Sequence, residues 1–157
     1  MDKLWAPWRI SYVKNIKQQS CIFCRPSSRK PKGYVVFQTS YSSVILNIYP
    51  YNNGHLLVSP LRHVNRLEQL SDEEAVDLFR ALKRAKKLLE KTIKPQGYNI
   101  GLNLSRSAGA GITGHLHIHI VPRWKGDTNF MPILTDTKII PQSLDELYKQ
   151  LKDAQSK

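Results

Sequence analysis

The chain has 157 residues, of which 41% are apolar and 23% charged, and its formal net charge at pH 7 is +12. This length and composition fit one folded domain and exclude a wholly disordered chain, a collagen and a fibrous repeat. The longest uninterrupted apolar runs are only a few residues long and the start has no apolar signal segment, so we expect a cytoplasmic protein without a membrane-spanning helix.

Basic side chains outnumber acidic ones by 24 to 12, an imbalance that attracts polyanions such as nucleotides, nucleic acid or an acidic membrane without choosing among them. Eight of the basic residues lie within residues 1–33, where Asp2 is the single acid. A solvated basic surface is the competing interpretation of this charge. We expect one domain over 1–157, comprising a basic N-terminal arm (1–20), a core (20–124) and a C-terminal extension (125–157).

Five short runs rich in Val, Ile, Leu and Tyr predict β-strands, and turn-forming residues or longer segments separate them. They cover residues 34–38, 43–48, 55–59, 98–104 and 115–121. The first three follow one another closely enough to form an antiparallel meander. The last two are joined by residues 105–114, a loop rich in small residues that lets the backbone approach a ligand.

Between the third and fourth runs, Ser71 and Glu74 form a capping box, which predicts the start of a helix. Apolar residues then recur at spacings of three and four up to Ile93, and Pro95 follows, so we expect a helix over 72–94. A weaker amphipathic stretch from Leu144 predicts a shorter C-terminal helix. The expected fold class is α+β: a five-stranded antiparallel sheet with one long helix and a shorter C-terminal helix.

The fifth run alternates histidine with aliphatic residues. In a strand, this places His115, His117 and His119 on one face, about 6.6 Å apart, and the aliphatic residues on the other face. Three neighbouring imidazoles repel one another when charged and need partners when neutral, so they are costly in a purely structural role. The row therefore indicates a metal site or a set of nucleophilic and acid–base groups.

The chain has two cysteines, Cys21 and Cys24, in a C-x-x-C spacing. Together with His63 they offer three ligands for tetrahedral zinc, which needs one more nitrogen or sulfur. His115, at the end of the histidine row, can supply it and leave the other two histidines free. A thioredoxin-like redox motif and plain buried thiols are the competing interpretations.

With these residues in view, the sequence resembles the histidine triad family. The family's signature alternates histidine with apolar residues three times and ends on two apolar residues, which His115 to Val121 match without exception. Asn47, the segment from Gly54 to His63, and Pro122-Arg123-Trp124 also fit the family pattern. The two ends of the chain are similar to the bacterial and archaeal branch related to diadenosine tetraphosphate phosphorylases and hydrolases.

The resemblance implies a catalytic mechanism with a nucleotidyl-histidine intermediate. It assigns the nucleophile to His117, and contacts with the α-phosphate or the leaving-group oxygens to His119 and His55. It assigns the ribose to Asn47 and the nucleotide to Asn103 or Ser107. Backbone amides would face the developing charge from Gly109, Ala110, Gly111, Ile112 and Thr113. Trp124 is a candidate for stacking on a base, with packing against the sheet as the competing interpretation.

The resemblance also implies a structural zinc ion and a homodimer. Zinc would be held in a closed site by Cys21, Cys24, His63 and His115, beside the nucleophile. The homodimer would join two sheets edge to edge. The implied partners are therefore a nucleotide or dinucleoside polyphosphate substrate and a second copy of the chain. Nucleic acid is a less favoured partner, and no membrane partner is expected.

Three functions follow from these observations. The first is cleavage of dinucleoside polyphosphates at the α-phosphate, with phosphate or water resolving the intermediate. Fragile histidine triad proteins carry a glutamine where this chain has Gly111, which leaves room for phosphate as the second nucleophile. The second is a nucleoside phosphoramidase of the HINT type, acting through the same residues. The third, of another class, is a non-catalytic zinc module that binds RNA or another polyanion through residues 1–33.

Overall fold

An antiparallel sheet and two helices form the structure, a computed structural model that describes residues 21–24, 34–128 and 139–156. The predicted N-terminal arm (1–20), residues 25–33 and residues 129–138 of the predicted C-terminal extension lie outside these residues. The elements in chain order are β1 (Val35–Gln38), β2 (Ser42–Leu46), β3 (Leu56–Pro60), α1 (Asp72–Ile93), β4 (Gly97–Leu102), β5 (Ile118–Arg123) and α2 (Leu144–Asp153). The α+β class, the five antiparallel strands and the two helices are confirmed.

The strand order in the sheet is β1-β2-β3-β5-β4, and every neighbouring pair is antiparallel. The first three strands form the predicted meander. The chain then crosses the sheet through α1, places β4 at the far edge and returns as β5 between β3 and β4. His119 on β5 therefore lies opposite Leu57 on one side and Gly101 on the other, inside the sheet.

Helix α1 begins where the capping box predicts. The Ser71 hydroxyl accepts a hydrogen bond from the Glu74 amide, and the Glu74 carboxylate accepts one from the Ser71 amide. The helix ends at Ile93, one residue earlier than expected, because Lys94 takes a left-handed conformation with φ of 47°. None of the helices in the described stretches has the length and apolarity to span a bilayer.

The core lies between one face of the sheet and the two helices. Strand residues such as Val44, Leu56 and Ile120 pack against the apolar stripe of α1, and Leu147 and Leu151 of α2 join them. Burying such aliphatic side chains contributes about 1.5–3 kcal/mol each. The opposite face of the sheet holds a smaller cluster of Phe23, Ile45 and Leu57.

The strand predicted to carry the histidine row starts later than expected, so of the three histidines only His119 lies on it. It was expected over 115–121, but β5 spans Ile118–Arg123. The Leu116 amide donates to the Val64 carbonyl at 2.7 Å, so the segment before β5 pairs with the loop after β3. At the other end, Pro122 continues the strand, and its carbonyl accepts a hydrogen bond from Asn52. The other strand bounds differ from expectation by at most two residues.

Candidate catalytic and metal site

His117 is held in one neutral tautomer. Its Nδ1 lies 2.8 Å from the His115 carbonyl oxygen. A carbonyl only accepts, so Nδ1 carries the hydrogen and Nε2 keeps its lone pair. Burial lowers the pKa of His117, which keeps the ring neutral. The result is an imidazole whose Nε2 can attack an electrophile without a separate base.

His55 and His119 form a directed hydrogen-bonded pair. The Tyr51 amide donates to His55 Nδ1 at 3.0 Å, so the His55 hydrogen resides on Nε2. That Nε2 donates to Nδ1 of His119 at 2.9 Å, which leaves the His119 hydrogen on its own Nε2. Burial, with His119 and His117 adding to it, lowers the pKa of His55 to about 3. The His119 ring centroid lies 4.9 Å from that of His117, so the ring that carries this Nε2–H lies beside His117.

The turn before β3 brings His55 under His119. Gly54 has a φ of +76°, a conformation that favours glycine. A Cβ there would lie 2.5 Å from the Ile93 side chain and 3.0 Å from that of Pro122. Glycine therefore lets the turn pass close to α1 and β5, and the next residue enters the sheet with its imidazole fully buried.

Four residues from three parts of the chain meet in a second cluster. Its potential ligand atoms, all within 4.8 Å of one another, come from Cys21, Cys24, His63 and His115. Nδ1 of His115 lies 3.3 Å from Sγ of Cys21, and Nδ1 of His63 lies 3.2 Å from Sγ of Cys24. These are the four residues that the sequence suggested as zinc ligands.

The donor set fits a metal ion. Nε2 of His115 donates to the Pro60 carbonyl at 2.9 Å, so its Nδ1 lone pair faces the two thiols. Ligating histidines characteristically donate their other ring nitrogen to such an acceptor. Burial also lowers the pKa of His115, which favours the neutral, ligating ring. Two sulfurs and two imidazole nitrogens are a set that tetrahedral zinc prefers, so this group can hold a metal.

Two aromatic residues that the sequence patterns did not single out line the histidines. The Phe23 ring is stacked on His117, with ring centroids 5.0 Å apart and planes at 29°. The Tyr51 ring lies 5.7 Å from His119 at 14°. Both residues lie in irregular segments, so no side-chain periodicity points to them. The sequence signals that remain are the position of Phe23 between two cysteines and that of Tyr51 four residues before the buried His55.

The remaining candidate residues differ in their contacts and in their burial. Asn47 is adjacent to His55, with its Nδ2 3.2 Å from His55 Nδ1. The small-residue loop contains a turn at Arg106–Ala108, and its Ile112 packs against the cluster of Phe23, Ile45 and Leu57. Within this loop Ala110 is buried, Gly109 and Gly111 are half-buried, and Ser107 and Thr113 are exposed; Asn103, just after β4, is half-buried.

Trp124 follows the end of β5 that is remote from His117. Its backbone amide donates to Asp127, and its indole Nε1 donates to the Lys94 carbonyl at 3.3 Å. Seven residues of extended chain span roughly 23 Å, so the indole is distant from His117 within one chain. Its contacts favour the packing interpretation over base stacking in the same subunit.

Comparisons with known proteins identify the family to which this chain belongs. The sequence profile described as HIT domain matches residues 29–126. The chain is 38% identical over 161 residues to the AP-4-A phosphorylase of Mycobacterium tuberculosis, covering 96% of this chain and 83% of that protein. It is 34% identical over 104 residues to the adenosine 5'-monophosphoramidase of Schizosaccharomyces pombe, covering 66% of this chain and 74% of that protein.

The chain therefore belongs to the HIT domain family, the histidine triad family that its sequence resembles. Among solved structures, a zinc-bound histidine triad family protein from Mycobacterium smegmatis has a TM-score of 0.69 at 25% identity. That similarity covers 87% of this chain and 94% of the other. Its sheet and helices have the same fold as those described above.

Proposed function

We propose that the protein is a nucleotidyl transferase that cleaves dinucleoside polyphosphates, such as diadenosine tetraphosphate, at an α-phosphate. The observation that carries the proposal is the 2.8 Å hydrogen bond from His117 Nδ1 to the His115 carbonyl, which leaves a neutral, nucleophilic Nε2. The similarity to the mycobacterial AP-4-A phosphorylase over nearly the whole chain supports this substrate class.

In the first step, Nε2 of His117 attacks the α-phosphorus, and the bond from that phosphorus to the bridging oxygen breaks. The leaving nucleotide departs with the electron pair. The Nε2–H of His119, oriented by His55, donates a hydrogen bond to an oxygen of the reacting phosphate. Backbone amides of residues 109–113 face the developing charge, Asn47 binds the ribose, and Asn103 or Ser107 binds the nucleotide.

In the second step, an oxygen of inorganic phosphate attacks the same phosphorus. The phosphorus–nitrogen bond breaks, its electron pair returns to Nε2 of His117, and a nucleoside diphosphate leaves. Gly111 has no side chain to position water, which supports phosphate over water in this step. Water as the attacking group would release a nucleoside monophosphate instead.

The proposal is tested by incubating the protein with diadenosine tetraphosphate, with and without inorganic phosphate, and separating the products by chromatography. We expect ADP and ATP, formed only with phosphate. His117→Ala should lower the rate by roughly 1,000-fold or more, because no other group there can form the intermediate. Phe79→Ala, on the exposed face of α1, is the matched control and should retain the wild-type rate.

Other outcomes identify other reactions. AMP and ATP without phosphate would assign a hydrolase. Full activity of His117→Ala would refute the nucleotidyl-histidine mechanism. No conversion at all would remove this substrate class and favour the non-catalytic polyanion-binding alternative, tested by charge reversal at Arg25, Arg29 and Lys30.

A nucleoside phosphoramidase is the second candidate, since similarity to the S. pombe phosphoramidase covers two thirds of the chain. The same histidines would attack the phosphorus of a phosphoramidate and release an amine. Comparing kcat/KM for adenosine 5'-phosphoramidate and diadenosine tetraphosphate on one preparation decides between the two. A larger value for the phosphoramidate would favour this candidate.

We further propose that zinc occupies the cluster of Cys21, Cys24, His63 and His115. When bound, it would cross-link the segment before β1 to the segment before β5 and supply no catalytic water, because all four positions are taken by protein ligands. The neighbour from M. smegmatis, which is zinc-bound, supports this choice of metal.

We also propose a homodimer that forms through β4. This strand is at the edge of the sheet, and Ile100, Leu102 and Leu104 on and just after it are 36–46% exposed. An exposed edge strand offers unpaired backbone groups to another strand. Pairing of two β4 strands would join the sheets of two subunits and cover these side chains.

A further inference from the structure

Phe23 connects the two clusters of the site. It lies in the turn between Cys21 and Cys24, which is closed by a hydrogen bond from the Cys24 amide to the Cys21 carbonyl at 3.2 Å. Its ring is 6% exposed. One contact is with the metal-site residue His115, at 4.9 Å between centroids, and another is with His117, at 5.0 Å.

His117 needs more than its own hydrogen bond to keep one orientation. The bond from Nδ1 to the His115 carbonyl selects the tautomer, but an imidazole held at one atom can still tilt about that contact. The Phe23 ring lies against it with an interplanar angle of 29° and restricts this tilt. Ile45 and Leu57 support Phe23 in turn, within the small cluster on this face of the sheet.

The position of Phe23 depends on the turn that carries it. Both residues that flank this turn offer sulfur ligands to the metal cluster, and His115 offers Nδ1 from the other side. A metal bound there would hold the turn against the segment before β5. Without one, the turn is tied down by weaker contacts between thiols and imidazoles.

We propose that Phe23 is a positioning residue that transmits metal occupancy of the cluster to the orientation of His117 Nε2. The proposal rests on the function proposed above only for its effect on rate. The coupling between metal and imidazole is a property of the folded chain and is measurable without substrate.

Kinetics of the zinc-loaded protein test the effect on rate. We expect Phe23→Ala to lower kcat by roughly 10- to 100-fold with little change in KM. A misoriented nucleophile reduces the stabilisation of the transition state more than it reduces the binding of substrate. Phe23→Leu, which keeps an apolar side chain, should recover part of the loss. Ile22→Ala is the matched control: Ile22 lies in the same turn and is 40% exposed, and its removal should leave kcat unchanged.

Nitrogen-15 NMR of the histidine rings tests the coupling itself. In zinc-loaded wild type we expect one sharp pair of Nδ1 and Nε2 signals for His117, as befits a single tautomer and orientation. Removing zinc with a chelator should broaden or shift them, and Phe23→Ala with zinc bound should do the same. Chelation of Phe23→Ala should then add little, because the connection is already lost.

Metal analysis and circular dichroism accompany each sample. The proposal is overturned if Phe23→Ala holds zinc and leaves both kcat and the His117 signals unchanged. It is also overturned if Phe23→Ala and Phe23→Leu lose zinc in proportion to activity, since Phe23 would then act on the metal site alone. If wild type shows the NMR coupling but no nucleotidyl transfer, the proposed function fails while the coupling is supported.

Discussion

At the scale of single residues, the chemistry of the site depends on which ring nitrogen carries each hydrogen. A carbonyl acceptor selects the Nδ1–H form of His117, whereas an amide donor selects the Nε2–H form of His55. The same type of side chain thus offers a lone pair at Nε2 in one position and relays a hydrogen bond in the other. The difference comes from the backbone groups that surround each ring.

The depressed pKa of His55 predicts a pH-dependent stability. Folding lowers this pKa from about 6.5 to about 3, so the unfolded chain binds more protons between those values. The free energy of unfolding should therefore rise with pH from about 3 to about 6.5 and level off above, with His55 contributing roughly 5 kcal/mol over the range.

Urea unfolding of the metal-free protein at a series of pH values checks this prediction, because protonation of the cysteine and histidine ligands would release zinc within this range. His55→Asn removes the titrating ring and should have a visibly flatter profile than wild type. His115 and His117, whose pKa values are also lowered, remain in both proteins, so the difference between the two profiles reports His55 together with its coupling to His119 and His117. Identical slopes would contradict the assignment.

At the scale of elements, an ion pair fixes the loop that carries His63. Arg62 donates from Nε and Nη2 to the two carboxylate oxygens of Glu74, at 2.8 and 2.6 Å. The Arg62 guanidinium, with the Ser71 amide, lowers the pKa of Glu74 to about 2. The first turn of α1 thereby anchors the segment that connects β3 to His63.

We expect Glu74→Gln to lower the free energy of unfolding by about 1–3 kcal/mol, because it weakens both the ion pair and the capping box around a buried group. Glu90→Gln is the control. Glu90 pairs with Lys86 on the same helix, but both side chains are exposed, so we expect a change of less than about 0.5 kcal/mol. Urea denaturation compares the two; equal losses would show that burial of Glu74 adds nothing.

At the scale of the whole molecule, the strand order leaves β4 exposed at one edge and α2 beside the other. On the β1 side, Tyr148 and Lys152 of α2 donate to the backbone carbonyls of Val35 and Val36. These contacts occupy backbone groups that an additional strand would need. The two edges therefore differ, and β4 is the edge suited to pairing with a second copy.

This asymmetry predicts the effect of one surface charge on assembly. Leu102→Lys should shift the protein from dimer to monomer in light scattering coupled to size-exclusion chromatography, because it places a charge in the proposed apolar contact. Phe79→Lys introduces the same charge at a side chain that is 61% exposed on α1, and it should leave the mass unchanged. A monomeric wild type, or a Leu102→Lys dimer, would refute the β4 interface.

Local patterns were sufficient for much of the fold and for the identity of the candidate groups. The capping box at Ser71 and the spacing of the apolar residues that follow it predict α1 to within one residue at its end. The hydrogen bonds of a helix, and the side-chain periodicity of a helix or strand, depend on neighbours a few residues apart, so they are predictable from the sequence. The alternation of histidines likewise indicated the family that the comparisons established.

The contacts that organise the site depended on tertiary structure. The hydrogen bond between His55 and His119 joins residues 64 positions apart, and the contact between Cys21 and His115 joins residues 94 apart. Phe23 likewise contacts His117, Ile45 and Leu57, which come from distant parts of the chain. The sequence alone determined which groups are present and the local shape of their segments. The His117 tautomer is set locally, by a carbonyl two residues away. Which distant groups touch, such as His55 and His119, was decided by packing, because those contacts form only when distant segments bury the same surface.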